Sequence, residues 1–174
     1  MNHDDHVRLL RAGIPGPGGV WADIGAGRGA FTLALADLVG PDATIHAVDR
    51  DRSALAQLQR ALNSRFPAVT VHGHHADFTQ PLDLPPLDGI IMANALHFIR
   101  DKCPVVQALH DTLRPGGRLI LVEYDADRGN RWVPYPLTYA TWAALAARCG
   151  FTQTTQLATH PSSFLGQFFS ALSM

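Results

Sequence analysis

Apolar positions along the chain switch period repeatedly, from short runs or alternations to a spacing of three and four. That switching marks strands and helices in turn. A short polar-ended helix over about His3–Ala12 leads through the Pro/Gly stretch Gly13–Gly19 into a first short apolar strand that starts at Val20 and ends at the acid Asp23. A helix carrying Phe31, Leu33, Leu35 and Leu38 starts near Gly29 and stops at Gly40-Pro41, a helix-ending pair. Strand Thr44–Val48 follows, then a helix with Leu55, Leu58 and Leu62 on one face, closed by Pro67. Val69–His72 reads as a third strand, and after Pro81, Pro85 and Pro86, Gly89–Ala93 reads as a fourth. Val105, Val106, Leu109 and Leu113 share a helix that stops at Arg114-Pro115-Gly116-Gly117, before a fifth strand, Arg118–Glu123. An irregular stretch to Pro136 precedes a helix with Trp142, Leu145 and Cys149, ending at Gly150; Phe151–Thr155 and Phe164–Leu172 read as the last strands.

Strands that alternate with helices predict an α/β fold, a parallel sheet covered on both faces. The last two strands lie too close for another crossover helix, so the final one is expected to be antiparallel. Residues 1–19 read as a helix and linker, and 20–174 as a single domain. Ligands of such sheets sit at the carboxyl ends of the strands. Asp23, Asp49, Asp77 and Asn94 each fall just past the end of a predicted strand.

The chemistry concentrates in Asp23-Ile24-Gly25-Ala26-Gly27-Arg28-Gly29. Glycines at a strand-to-helix turn allow a sharp bend and close approach of a ligand. Asp23 would repel a pyrophosphate there but suits an ammonium or sulfonium. The spacing is G-x-G-x-G, not the dinucleotide fingerprint G-x-G-x-x-G. Asp49, after the next apolar run, can accept from both hydroxyls of a ribose. With these motifs the chain, from about Val20 onward, resembles the class I S-adenosylmethionine-dependent methyltransferases. The resemblance implies a doubly wound, Rossmann-like sheet of seven strands, mostly parallel with the last reversed. It also implies that S-adenosylmethionine binds and leaves as S-adenosylhomocysteine. The cofactor-binding set it implies is Asp23, Gly25, Ala26, Gly27, Asp49, Arg50, Asp77, Phe78, Asn94 and Ala95. Asp77 would accept from the adenine amino group beside Phe78, and the backbone at Asn94-Ala95 would hold the methionyl amine. A turn-capping aspartate remains the alternative at Asp77.

Composition narrows the rivals. The net charge is −1 and Lys102 is the only lysine, which removes a Gly-Lys phosphate loop and a Tyr-x-x-x-Lys dehydrogenase pair. No basic footprint for autonomous nucleic-acid binding is present, and no membrane association is expected. Cys103 and Cys149 stand far apart, suggesting neither a zinc site nor a disulfide framework. No secretion signal is read at the N-terminus, so a cytoplasmic location is expected. The positions after strand four read Asn94-Ala95-Leu96-His97, without the prolines or stacking aromatic of the enzymes that methylate nucleobase or glutamine nitrogens.

His97 is the catalytic candidate, an imidazole able to take a proton from an attacking hydroxyl or amine; a packed histidine is the alternative. Arg128, Arg131, Trp132 and Tyr135, after strand five, suit an acceptor wall of planar donors and flat faces, or a loop anchored by its aromatics. Glu123 and Tyr124 either line the pocket or end the strand. His72, His74 and His75 cluster without an evident carboxylate beyond Asp77 and read as a solvated strand end; no metal is expected. A small-molecule acceptor is expected, with the N-terminal helix as a partial lid or a homodimer as cover; the alternative is an open pocket that admits a macromolecular or bulky acceptor. Two rivals are a non-catalytic cofactor-binding module and a nicotinamide dehydrogenase.

Overall fold

The structure, a computed structural model, describes residues 1–174. Its strands are β1 (Gly19–Ile24), β2 (Ala43–Asp49), β3 (Thr70–His75), β4 (Leu87–Ala93), β5 (Leu113–Tyr124), β6 (Thr154–Pro161) and β7 (Gln167–Ser173). They form one seven-stranded sheet in the order β3-β2-β1-β4-β5-β7-β6. The first five are parallel, and β7 lies antiparallel between β5 and β6. The helices are α1 (His3–Arg11), α2 (Ala30–Val39), α3 (Arg52–Arg65), α4 (Cys103–Asp111) and α5 (Tyr139–Arg148). Strand order reverses between β1 and β4, and that reversal opens a crevice at their carboxyl ends.

The side-chain alternation of each central strand feeds two cores. Trp21 and Ile45 pack under α1, α2 and α3 with Leu9, Leu10, Leu35, Leu58 and Leu62. Ala22, Ile24 and Ile90 pack on the other face with Leu109, Trp142 and Phe169 under α4 and α5. Strands buried on both sides need continuous apolar runs, and β1, β2 and β4 supply them. Each fully buried Leu, Ile or Phe contributes about 1.5–3 kcal/mol of transfer free energy. That fixes where every strand ends, and therefore where the acids at those ends stand. Helix α1 is set by a capping box, Asn2 with Asp5, and ties back to β6 through Arg8 Nη2 and His160 Nδ1 at 2.7 Å.

Several boundaries differ from the sequence reading. Asp23 lies inside β1, paired with Ala47 and Ile91, because the buried Ile24 carries the strand one residue further. Strand β4 begins at Leu87, ahead of Gly89, and β6 runs on to Pro161. Leu113 belongs to β5, paired with Leu87 ahead of a bulge before Gly89/Arg118, because α4 has already closed at Thr112. Strand β3 continues to His75, in register with Asp49. Strand β6 begins at Thr154, not Phe151: the Phe151 ring is buried edge-on against His110 instead. Phe164 sits exposed in the turn before β7. The two cysteines, distant in sequence, meet between α4 and α5 with their sulfurs 3.1 Å apart. No helix is long and apolar enough to cross a membrane.

Candidate active site

The crevice is built from strand ends. After β1 the chain turns through Gly25 (φ 77°), and a Cβ there would fall 2.5 Å from that of Ala95. The third glycine, Gly29, is the left-handed N-cap of α2 and leaves room for Leu58 of α3. Asp49, at the end of β2, accepts the Gly27 N–H at Oδ2 (2.7 Å) and the Asp51 N–H at Oδ1 (2.8 Å). Each carboxylate oxygen keeps a second lone pair. Asp77 accepts from both Thr79 N–H and Thr79 Oγ1, so it does close its own turn. Those hydrogen bonds hold its carboxyl below the usual range. A cavity of about 510 Å³ is lined by Gly25, Gly27, Asp49, Arg50, Asp77, Phe78, Thr79, Asn94, Ala95, Phe98 and Ile99.

A second cavity of about 270 Å³ adjoins it, sharing Gly25, Gly27 and Asn94 and adding Asp23, Ala26, Arg28 and, from α1, His6. Asp23 is only 1% exposed. Thr32 Oγ1 donates to its Oδ2 at 2.5 Å, yet burial, aided by Asp49, pushes its pKa up to about 7. Burial also lowers that of His6. Asn94, between the two cavities, has φ 53°, and its buried Oδ1 has no hydrogen-bond partner. A further cavity of about 250 Å³, lined by Pro15–Gly19 and Arg114–Arg118, opens at the opposite end of the strands and touches none of these residues.

His97 lies in a short 3₁₀ turn (Leu96–Phe98) after β4 and is 3% exposed. Its Nδ1 is 2.8 Å from Oε2 of fully buried Glu123, at the end of β5. A carboxylate only accepts, so Nδ1 is the donor in this bond, and in the neutral imidazole Nε2 is the nitrogen with the lone pair. Glu123 Oε1 also accepts the backbone N–H of Leu96 (2.9 Å) and His97 (3.2 Å). The His97 ring lies behind that of Phe98, centroids 4.2 Å apart, and it is Phe98 that lines the larger cavity.

A profile of the family described as "Methyltransferase domain" matches residues 22–119, more than half of the chain. The chain belongs to the class I S-adenosylmethionine-dependent methyltransferases. It is similar to a carboxy-S-adenosyl-L-methionine synthase of Chromohalobacter salexigens, 33% identical over 104 residues, covering 58% of this chain and 38% of that protein. It is similar also to a ribosomal RNA small subunit methyltransferase H of Paracidovorax citrulli, 34% identical over 92 residues, covering 51% and 28%. The chain thus spans well under half the length of these curated relatives. Among solved structures, the YcgJ protein of Bacillus subtilis superposes with a TM-score of 0.77 at 14% identity, over 98% of both chains.

The residues present fit the methyltransferase cofactor. A crevice with Asp49 and Asp77 in one cavity and Asp23 in the adjoining one, an orphaned acceptor at Asn94 and a glycine whose Cβ would be blocked is shaped for an adenosyl group carrying an amine. All ten cofactor-binding residues expected from the sequence line its two cavities. The expected acceptor wall is different: Arg128, Arg131, Trp132 and Tyr135 line neither. Their loop is pinned by buried Val133, not by its aromatics, and Trp132 is 68% exposed. Arg131 stacks on Trp132 (5.8 Å), and the Tyr135 N–H donates to His97 O at 3.0 Å, which keeps the loop beside the His97 turn. His46 and His74 share a hydrogen bond (2.9 Å) on the β2–β3 edge, and no group of three metal-ligating side chains forms there. Sequence reasoning missed His6, Thr32 and Phe98 and left Glu123 undecided. A lone acid closing an otherwise apolar strand was the available signal for Glu123; His6 had none.

Proposed function

We propose that the protein methylates a small-molecule acceptor whose proton is taken by His97 as the methyl group arrives. When bound, S-adenosylmethionine supplies a methyl group already activated on sulfonium. Asp49 would hold the ribose hydroxyls, Asp23 and Asn94 the methionyl amine, and Asp77 with Phe78 the adenine. The residues around the crevice would hold the acceptor in line with that methyl group, at an approach of about 3–3.5 Å, so that its electron pair could take the methyl as the sulfur leaves with the electrons of its own bond. The acceptor's proton passes to His97 Nε2, and Glu123 stabilises the imidazolium through Nδ1. The products are the methylated acceptor and S-adenosylhomocysteine.

The observation that carries this reading is the buried His97–Glu123 pair at 2.8 Å, one side chain behind the crevice wall. A net charge of −1 with a single lysine supports a small molecule over a nucleic acid. Arg128, Arg131, Trp132 and Tyr135 would meet the acceptor at the mouth, where a second copy of the chain would cover their exposed faces. One feature favours a second reading, cofactor binding without turnover: the His97 ring is buried beside Phe98 and lines neither cavity. Methyl transfer from radiolabelled cofactor to a panel of phenols, acids and amines separates the two. Wild-type turnover that drops at least 100-fold in His97→Gln, with cofactor affinity kept, supports the base; turnover within threefold of wild type in that variant removes it.

A further inference from the structure

Cys103 is the first residue of α4, and Cys149 caps the C-terminus of α5. Their sulfurs stand 3.1 Å apart although the residues are 46 apart in sequence, and Cys149 Sγ also points at Cys103 O (3.7 Å). Both are free thiols; Cys149 is fully buried while Cys103 is partly buried. The pair plays no part in the reaction described above. It is close in sequence to that site: Phe98 and Ile99 of the crevice wall run through Lys102 into Cys103.

We propose that Cys103 and Cys149 are a reversible dithiol–disulfide couple that clamps α4 to α5, with a low-molecular-weight disulfide as the oxidant. Bonding requires the sulfurs to close by about 1 Å, from 3.1 Å to the ~2.05 Å of a disulfide. That is a side-chain adjustment at two helix ends rather than a refolding.

The chemistry runs in two exchanges. Cys103, the accessible sulfur, attacks one sulfur of the oxidant as thiolate, forming a mixed disulfide and releasing one thiolate of the oxidant. Cys149 then attacks the Cys103 sulfur as thiolate, forming the internal bond and releasing the second thiolate. Both cysteines are oxidised, the oxidant is reduced to two thiols, and the two cysteine protons end on those thiols. In the free dithiol, burial together with the contact to Cys103 pushes the Cys149 thiol up, which leaves Cys103 as the sulfur that starts the exchange.

The test is intact-mass spectrometry of the full chain after overnight incubation with oxidised glutathione, paired with thermal unfolding. Wild type is expected to lose the mass of two hydrogen atoms, to yield a peptide joining Cys103 to Cys149, and to return to its starting mass with dithiothreitol. Closing so long a loop is expected to raise Tm by about 10 °C. Cys149→Ala should instead retain a glutathione adduct on Cys103, and Cys103→Ser should stay unmodified. Wild type that keeps the adduct, takes up nothing, or forms the bond without a rise in Tm overturns the proposal.

Discussion

Asp23 makes cofactor binding a proton-linked event. In the free protein its carboxyl is sealed at 1% exposure and its pKa stands near 7, mainly through burial. An ammonium group at contact lowers a carboxyl by about 1–3 units, so binding expels a proton wherever Asp23 begins protonated. With a free pKa of about 7, about half of the protein is ready at pH 7 but only about one part in a hundred at pH 5. S-adenosylmethionine should therefore bind about 5- to 50-fold more weakly at pH 5 than at pH 7, the range reflecting the size of the bound-state shift. Above about pH 8 the ligand's own amine deprotonates and affinity declines again. Titration calorimetry in buffers of differing ionisation heat reads both quantities, the affinity and the proton released, about 0.4 to 0.9 per site near pH 6 across that range of shifts. Asp23→Asn should flatten the acid limb. An affinity that changes less than twofold between pH 5 and 7, or an Asn variant with the wild-type profile, would refute the reasoning. The unliganded protein carries the converse sign. The folded carboxyl titrates near 7 and the unfolded one near 3.8, so between those values only the unfolded chain ionises. Stability then falls as pH rises from about 4 to 7, by at most about 4 kcal/mol, and falls no further from this group above pH 7.

The other expectations are simpler to state. Asp49→Ala removes the ribose acceptor and the anchor for two backbone N–H groups; cofactor affinity should fall about 100-fold or more by calorimetry. Glu123→Gln keeps the shape but lets its amide donate to Nδ1, which moves the His97 proton to Nε2. Turnover should fall about 10²- to 10⁴-fold with cofactor affinity within twofold of wild type, measured by product formation and calorimetry. Trp132→Ala, on an exposed ring, should raise the acceptor KM and leave both Tm and cofactor affinity unchanged. Leu58→Ala, fully buried under Gly29, should cost about 2–5 kcal/mol and lower Tm by about 5–15 °C in a thermal melt.

The cofactor crevice was legible in the sequence because it is made of strand ends. Short apolar runs show where β1, β2 and β4 close, and the polar residue at each closing point, Asp23, Asp49 or Asn94, falls at the same edge of the sheet, although β1 runs one residue on, to Ile24. Leu113 and Phe151 were misplaced for a shared reason. An apolar residue at an element's boundary satisfies either neighbour's period, and tertiary packing decides: Leu113 pairs with Leu87, while Phe151 packs on His110. Pairings across the fold left little trace. His97 meets Glu123 because β4 and β5 are adjacent and in register, and Cys103 meets Cys149 because two helix ends face each other. The acceptor loop was the least legible. Its Trp and Tyr suggested anchors, whereas buried Val133 holds the loop and leaves the rings free.

The central claim is that S-adenosylmethionine lies across the tips of β1, β2 and β4. A crystal structure of the protein grown with S-adenosylhomocysteine tests it most directly. The account predicts ribose hydroxyls on Asp49, the adenine edge beside Asp77 and Phe78, and the amine within hydrogen-bond reach of Asp23 or Asn94 Oδ1. Density for the ligand elsewhere, or none while Phe98 and Asn94 stay as they are, would contradict it.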